Sequence, residues 1–114
     1  MIRQTLLSAL VFLTYLHATP SERGLQLFQK HCAVCHGHEA ERKAWNVTDP
    51  IAGWPPELIK RALMGYKQKT RDIYGYGAYM HPQINRYTPE EIDAIIAYIA
   101  SLDRAASLLA AKQK

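Results

Sequence analysis

The segment "HCAVCHGH", residues 31–38, concentrates the side chains of this 114-residue chain that bind metals or form covalent bonds. It contains both cysteines, Cys32 and Cys35, and three of the five histidines, His31, His36 and His38. Four kinds of chemistry suit such a set: a disulfide, a metal site, a redox-active dithiol, or covalent attachment of a prosthetic group.

The spacing of the cysteines favours attachment of a prosthetic group. Residues 32–36 read "CAVCH", the C-x-x-C-H pattern of c-type haem attachment. The two thiols add to the vinyl groups of a porphyrin, and the adjacent histidine ligates the iron. We therefore expect Cys32 and Cys35 to hold one haem c, with His36 as the proximal ligand.

The other three kinds of chemistry fit the segment less well. A zinc site would combine both cysteines with two neighbouring histidines, whereas structural zinc usually closes with a ligand pair distant in sequence. A redox dithiol of the thioredoxin type expects strands that alternate with helices. A disulfide across two residues closes too short a loop to stabilise much.

The second axial ligand decides whether the iron is closed or open to small molecules. Met80 is the expected ligand, because it lies in a predicted loop that can deliver a thioether to the far side of the haem. The alternatives are the adjacent His81, an open iron, and Met64, whose place in a predicted helix is more typical of core packing. His31 and His38 lie too near the proximal side, so we expect them at the surface.

The first 18 residues have the layout of a secretory signal peptide. Arg3 precedes an apolar run at residues 6–16, and Ala18 follows at a position typical of cleavage. We expect residues 1–18 to be a signal peptide and residues 19–114 to form one domain outside the cytoplasm. An uncleaved amphipathic anchor is the alternative.

Residues 19–114 predict a small all-α domain with three main helices and two long loops. The first helix is predicted to have Ser21 as its N-cap, with Leu25 and Phe28 on one face. The loops read "NVTDPIAGWPP" and "RDIYGYGAYMHPQINRYT". Loops of this length in a small domain are usually functional or wrapped around another group.

The second and third helices are marked by proline at their first turns. Pro56 is predicted to begin the second, while Thr88, Pro89 and Glu91 form a capping box that begins the third. Apolar residues then recur at helical spacing in both: Leu58, Ile59, Ala62 and Leu63, and Ile92, Ile95, Ile96, Ile99 and Leu102.

The formal net charge of +4 is mild, and an exported domain of this size rarely meets nucleic acid. A basic cluster in the middle of the chain predicts either a solvated helix face or a rim that docks an acidic partner. Its members are Lys60, Arg61, Lys67, Lys69 and Arg71.

With these features the chain resembles the class I cytochromes c over nearly the whole predicted domain. The similar segments are "GLQLFQKHCAVCHG", "DPIAGWPPELIKRAL", "YKQKTRD", Met80 and "YTPEEIDAIIAYIASL". The pattern is most similar to c-four-type cytochromes and to the haem subunit of flavocytochrome c sulfide dehydrogenase.

The resemblance implies two further structural features. Gly24, Phe28 and Tyr98 match the positions where the first and last helices of the family cross. Pro50 matches the proline whose carbonyl oxygen accepts a hydrogen bond from the proximal histidine, here His36. Such a bond would fix the orientation of the imidazole ring and its basicity.

Some features depart from this family or are not assigned by it. The loop after "CHG" lacks a glycine-rich run, and a single C-x-x-C-H implies a one-electron protein. Tyr74, Tyr76 and Tyr79 surround the expected ligand and predict packing against the cofactor or a docking surface. Of Trp45 and Trp54, we expect one to meet a haem propionate or the porphyrin edge.

The resemblance implies periplasmic one-electron transfer. The first hypothesis is a haem subunit that accepts electrons from a sulfide-oxidising flavoprotein, as in a sulfide dehydrogenase. The alternative is a soluble carrier that diffuses freely between periplasmic dehydrogenases and a terminal oxidase. A third is a haem enzyme or ligand sensor with an open iron. Because no side chains resemble a nucleophile, a general-base pair or a phosphate-binding loop, we expect no catalysis by this chain alone.

Overall fold

A computed structural model describes residues 18–113, and within them the chain forms six α-helices, one short 3-10 helix and no β-strand. The predicted all-α class is therefore confirmed. The predicted signal peptide lies outside the described residues, apart from Ala18. The helices are α1 (Pro20–His31), α2 (Ala33–His36), the 3-10 helix (Ala44–Asn46), α3 (Pro56–Lys67), α4 (Gly77–Asn85), α5 (Pro89–Ser101) and α6 (Arg104–Lys112).

Helix α1 begins with a capping box centred on Thr19. The Oγ1 atom of Thr19 accepts a hydrogen bond from the backbone N–H of Glu22 at 3.2 Å. In return, the Glu22 carboxylate accepts one from the backbone N–H of Thr19 at 2.9 Å. The prediction that Ser21 is the N-cap is wrong, because Ser21 lies inside the first turn.

Helix α5 begins in the same way, as predicted. Thr88 Oγ1 accepts a hydrogen bond from the N–H of Glu91 at 3.2 Å, and the Glu91 carboxylate accepts one from the N–H of Thr88 at 3.0 Å. The buried face of the helix is the predicted one, and it includes Ile92, Ile95, Ile96 and Ile99.

Helices α1 and α5 cross at Gly24, and their contact forms the centre of the core. A Cβ atom on Gly24 would lie 1.9 Å from the carbonyl oxygen of Ala94, so only glycine permits this approach. Beside it, the rings of Phe28 and Tyr98 pack with their centroids 5.3 Å apart. The crossing that the resemblance implied is confirmed, but Leu25 does not share this face, because it is 41% exposed.

Helix α3 begins at Pro56 as predicted and buries Ile59 and Leu63, while Leu58 is 44% exposed and lies off the buried stripe. Helix α4 lies in the segment that was predicted to be a loop. That prediction is therefore wrong for Gly77–Asn85, and α4 packs against α3.

The chain breaks after α5, and Asp103 then caps α6 by accepting a hydrogen bond from the N–H of Ala106 at 3.0 Å. Within residues 18–113, no single helix is long and apolar enough to cross a membrane. Helices α5 and α6 meet those limits only together, across a 72° bend.

Candidate haem-binding site

The helices and the loops between them enclose a cavity of about 420 Å³, within the size range of cofactor pockets. Cys32, Cys35 and His36 line it from the end of α1 and from α2, and Met80 lines it from α4. Most of the other lining side chains are apolar or aromatic. The residues predicted to attach and ligate a haem therefore converge on one apolar space.

The C-x-x-C-H segment forms one helical turn that continues α1. The N–H of Cys32 donates to the carbonyl oxygen of Phe28 at 2.9 Å, and the N–H of His36 donates to that of Cys32 at 3.0 Å. Residues three apart on such a turn are neighbours on one face. Neither cysteine is in a disulfide, so the disulfide alternative is wrong and both thiols are free for attachment.

His36 has the properties of a metal ligand. It is 9% exposed, and its Nδ1 atom is buried without a hydrogen-bond partner among the described residues. Burial lowers the pKa of His36 to about 4, so the imidazole is neutral at neutral pH and has a lone pair to donate. A buried, uncharged imidazole facing an apolar cavity fits an iron ligand.

Burial also affects the first cysteine. It raises the pKa of the Cys32 thiol to about 12, an effect that the positive charge of Arg86 opposes and that Cys35 adds to. In the folded domain this thiol is therefore neutral at neutral pH, because burial disfavours the charged thiolate.

The predicted hydrogen bond from His36 to Pro50 is not formed in this structure, since Nδ1 of His36 has no partner among residues 18–113. Pro50 is among the fully buried side chains, and the flanking Asp49 and Ile51 line the cavity. A role for Pro50 in fixing the proximal ligand stays a prediction.

Of Met80, Met64 and His81, the structure places Met80 at the cavity, while His31 lines it from the end of α1, next to Cys32. Met80 lies in the first turn of α4, where its N–H donates to the carbonyl oxygen of Tyr76 at 3.3 Å. Met64 packs against the core, as Met80 does, but it does not line the cavity. The Nδ1 atom of His81 lies 3.1 Å from the carbonyl oxygen of Tyr66 and the ring does not line the cavity. His36 and Met80 are thus the pair positioned for axial ligation.

The zinc alternative lacks a ligand set. Among residues 18–113, no group of three or more histidine, cysteine, aspartate or glutamate side chains could hold a metal ion. His38 is exposed and hydrogen-bonded to Gln29, while His31 is half-buried and contacts Arg86.

An aromatic cluster borders the cavity. Trp45 and Tyr76 are stacked, with centroids 5.4 Å apart and planes 6° from parallel, and Tyr79 is tilted against both. Trp45 and Tyr79 are more than half exposed, at 53% and 58%. Tyr74 and Trp54 also line the cavity. The cluster therefore has side chains that can pack against a cofactor and others that are exposed at the surface.

Arg71 lines the cavity, although the sequence predicts it only as a member of the basic cluster. Its guanidinium carbon lies 5.4 Å from the centroid of the Tyr66 ring. Its Nε atom is buried without a partner in the described part of the chain. No periodicity marks such a residue, since its orientation depends on the tertiary fold.

The apolar cavity of this all-helical domain is lined by two thiols, a neutral imidazole and a thioether. These features are those of a c-type haem protein. Comparison with known proteins agrees: the family described as cytochrome c matches residues 21–103. Cytochrome c-553 from Desulfomicrobium norvegicum is 30% identical over 78 residues, which cover 68% of this chain and 94% of that protein. No solved structure matches the chain significantly.

The chain belongs to the cytochrome c family. Its cofactor is a single covalently attached c-type haem, and its function is electron transfer through that haem. Electron transfer requires redox partners, with which a cytochrome c exchanges electrons.

Proposed function

We propose that this cytochrome transfers single electrons in the periplasm, with Cys32 and Cys35 as the haem anchors and His36 and Met80 as the axial ligands. The convergence of His36 from α2 and Met80 from α4 on one apolar cavity carries the proposal. The haem supplies the ferric–ferrous couple. The chain closes both axial positions, which keeps small molecules from the iron and favours electron transfer over oxygen chemistry.

The partner we propose is a flavoprotein that oxidises sulfide, with this chain as its haem subunit. The "YKQKTR" and "YTPEEI" segments support it by their resemblance to that class of subunit. The surface also supports a stable protein contact, because three exposed apolar or aromatic residues line the cavity: Val34 at 75%, Trp45 at 53% and Tyr79 at 58%. Apolar groups clustered at a surface are typical of interaction sites.

A second candidate is the freely diffusing carrier between periplasmic dehydrogenases and a terminal oxidase. Exposed basic side chains on and after α3, among them Arg61 and Lys69, support it. Such charges steer transient encounters with acidic partners and raise the association rate more than the affinity. Lys60 contributes less, because it pairs with Asp93 at 2.5 Å.

The axial ligands are tested by absorption spectra of the native protein, oxidised and then reduced. We expect c-type haem bands, the weak far-red band of methionine–iron ligation, and no carbon monoxide binding to the reduced protein. Met80→Ala should lose the far-red band and bind carbon monoxide, while the matched variant Met64→Ala should do neither. A wild-type protein that lacks the far-red band or binds carbon monoxide would contradict the assignment of Met80.

The partner is tested by gel filtration of the native protein from its source. A subunit should elute at the mass of a complex and carry a flavin spectrum with the haem bands. A carrier should elute alone, without flavin. For a carrier, the rate of electron transfer to an acidic partner should fall steeply as the salt concentration rises. Arg61→Gln should also lower this rate.

A further inference from the structure

Trp45 has a backbone conformation that suits small residues better than bulky ones. Its φ is 54° and that of Asn46 is 58°, so both residues lie in the left-handed region. They are the central residues of a turn in which the N–H of Val47 donates to the carbonyl oxygen of Ala44 at 3.1 Å. Glycine, asparagine and aspartate are favoured at such positions, and a bulky side chain is disfavoured there. Asn46 fits this rule, whereas Trp45 breaks it, and strain of this kind is typical of functional positions.

Burial in the core does not explain why a tryptophan is kept in this turn, because its side chain is 53% exposed. The ring contacts other aromatic rings instead. It stacks on Tyr76, with centroids 5.4 Å apart and planes 6° from parallel, and Tyr79 is tilted against it at 5.4 Å. All three rings line the haem cavity, and Trp45 and Tyr79 are also exposed at the surface, so the stack lies at the mouth of the cavity.

Tyr76 is hydrogen-bonded directly to the helical turn that carries Met80. It is the N-cap of α4, and its carbonyl oxygen accepts hydrogen bonds from the N–H of Tyr79 at 3.0 Å and from that of Met80 at 3.3 Å. The sequence of α4 is by itself a weak helix former, since it begins with glycine and contains Pro82. A contact that fixes Tyr76 therefore also fixes the position of Met80.

The other side of the stack belongs to the segment that carries the proximal ligand. The 3-10 helix that includes Trp45 contacts α2, which includes His36. The stack of Trp45 on Tyr76 therefore joins the segments of both axial ligands across the mouth of the cavity. A movement of α4 that takes Met80 away from the iron would have to separate these two rings.

We propose that the stack of Trp45 on Tyr76 is an aromatic clamp that holds α4 closed, and that Trp45 is thereby a positioning residue for the Met80 ligand. Trp45 acts through Tyr76 and not on the iron itself. The clamp sets the fraction of molecules in which the Met80 side of the iron is open to an outside ligand. The proposal rests on ligation by Met80, as in the proposed function.

The first experiment titrates the oxidised, haem-loaded protein with imidazole, which competes with Met80 for the iron, and follows the far-red band. Imidazole binds only when Met80 has left, so its apparent affinity rises with the fraction of open protein. Trp45→Gly should bind imidazole about 2- to 10-fold more tightly than the wild type, the factor that corresponds to the energy of one aromatic pair. Glycine adopts a positive φ without strain, so this change removes the ring and leaves the turn intact. Trp45→Phe, which keeps an aromatic ring, should retain most of the wild-type resistance to imidazole.

Two further variants test whether the effect passes through Tyr76. Tyr76→Ala keeps the backbone carbonyl that binds Met80, and it should raise the imidazole affinity by a similar factor. In the double variant of Trp45→Gly and Tyr76→Ala the second change should add little, because both changes remove the same contact. Ile73→Ala is the matched control, since Ile73 is 67% exposed in the segment before α4 and lies outside the stack and the cavity lining. It should leave the imidazole affinity unchanged.

The outcomes separate the clamp from the assignment of the ligand. Three results would each overturn the clamp: wild-type imidazole affinity in Trp45→Gly, full additivity of Trp45→Gly and Tyr76→Ala, or an equal rise in Ile73→Ala. A wild-type protein without the far-red band would instead refute ligation by Met80, on which the clamp depends.

Discussion

The close crossing of α1 and α5 makes a sharp prediction for Gly24→Ala. The new methyl carbon would lie 1.9 Å from the carbonyl oxygen of Ala94, against an ordinary contact of 3.4 Å or more. The obstacle is backbone, so no side-chain rotation removes it. The helices must separate by about 1.5 Å, the difference between these two distances.

Two opposing effects set the size of the change. Alanine is favoured over glycine inside a helix by about 1 kcal/mol. Separation of the helices weakens the contact of Phe28 with Tyr98, and even a gap of 0.5–1 Å loses roughly a quarter to a half of the dispersion energy. Overpacking costs about 1–3 kcal/mol where a core can adjust, and more where backbone is the obstacle. We expect the free energy of unfolding to fall by about 2 kcal/mol or more.

The assay is guanidinium and thermal unfolding of the haem-loaded protein, followed by far-ultraviolet circular dichroism at equal haem content. A loss of 2 kcal/mol in a domain of this size lowers Tm by about 8–16 °C. Gln26→Ala, at an exposed position of the same helix, is the control and should change stability by less than about 0.5 kcal/mol. If Gly24→Ala is as stable as the wild type or more so, helix propensity dominates and the close crossing is not required.

Three further outcomes are expected. Met80→His should abolish the far-red band and lower the redox potential, because imidazole stabilises ferrous iron less than a thioether does, yet the reduced protein should still exclude carbon monoxide. Thr88→Ala should cost about 1 kcal/mol of unfolding free energy through loss of the α5 cap, whereas Thr88→Ser should retain most of it. Burial raises the pKa of Tyr98 from its ordinary value, so the fold favours the neutral phenol. Stability should therefore fall as the pH rises above about 10, less steeply in Tyr98→Phe, which should also lose about 1 kcal/mol at pH 7 with its hydrogen bond to His38.

Local patterns in the sequence were sufficient to predict the haem-attachment segment and the start of α5. The C-x-x-C-H motif predicts covalent haem attachment because its cysteines and histidine are close in the chain and lie on one helical turn. The start of α5 was predicted correctly, because its capping box and its isoleucine spacing agree. The same Thr-Pro-x-Glu pattern begins α1 at Thr19, two residues before Ser21, the predicted N-cap.

Helix α4 could not be predicted in the same way. Its sequence, "GAYMHPQIN", begins with glycine, contains Pro82 and buries only Ile84, so periodicity is weak and turn formers dominate. The helix depends on tertiary contacts with α3 and on the Asp72 side chain at its first turn. Nε1 of Trp54 and Nε of Arg71 are buried donors without a partner among residues 18–113. They too could not be predicted from the sequence, since burial at a cavity is a property of the folded chain.

The two helices that cross at Gly24 are the first and the fifth of the six α-helices described, so their contact closes a long loop of the chain. The residues between Cys32 and Thr88 form a loop whose two ends are brought together by the contact of α1 with α5. Once a loop is closed, doubling its length costs only about 0.6 kcal/mol. The segments before α3 and α4 can therefore lengthen or shorten at little cost in loop closure, provided that the residues lining the cavity and Asp72 at the start of α4 are kept. New partners can be accommodated there while the joined ends and the attachment turn beside them stay as they are.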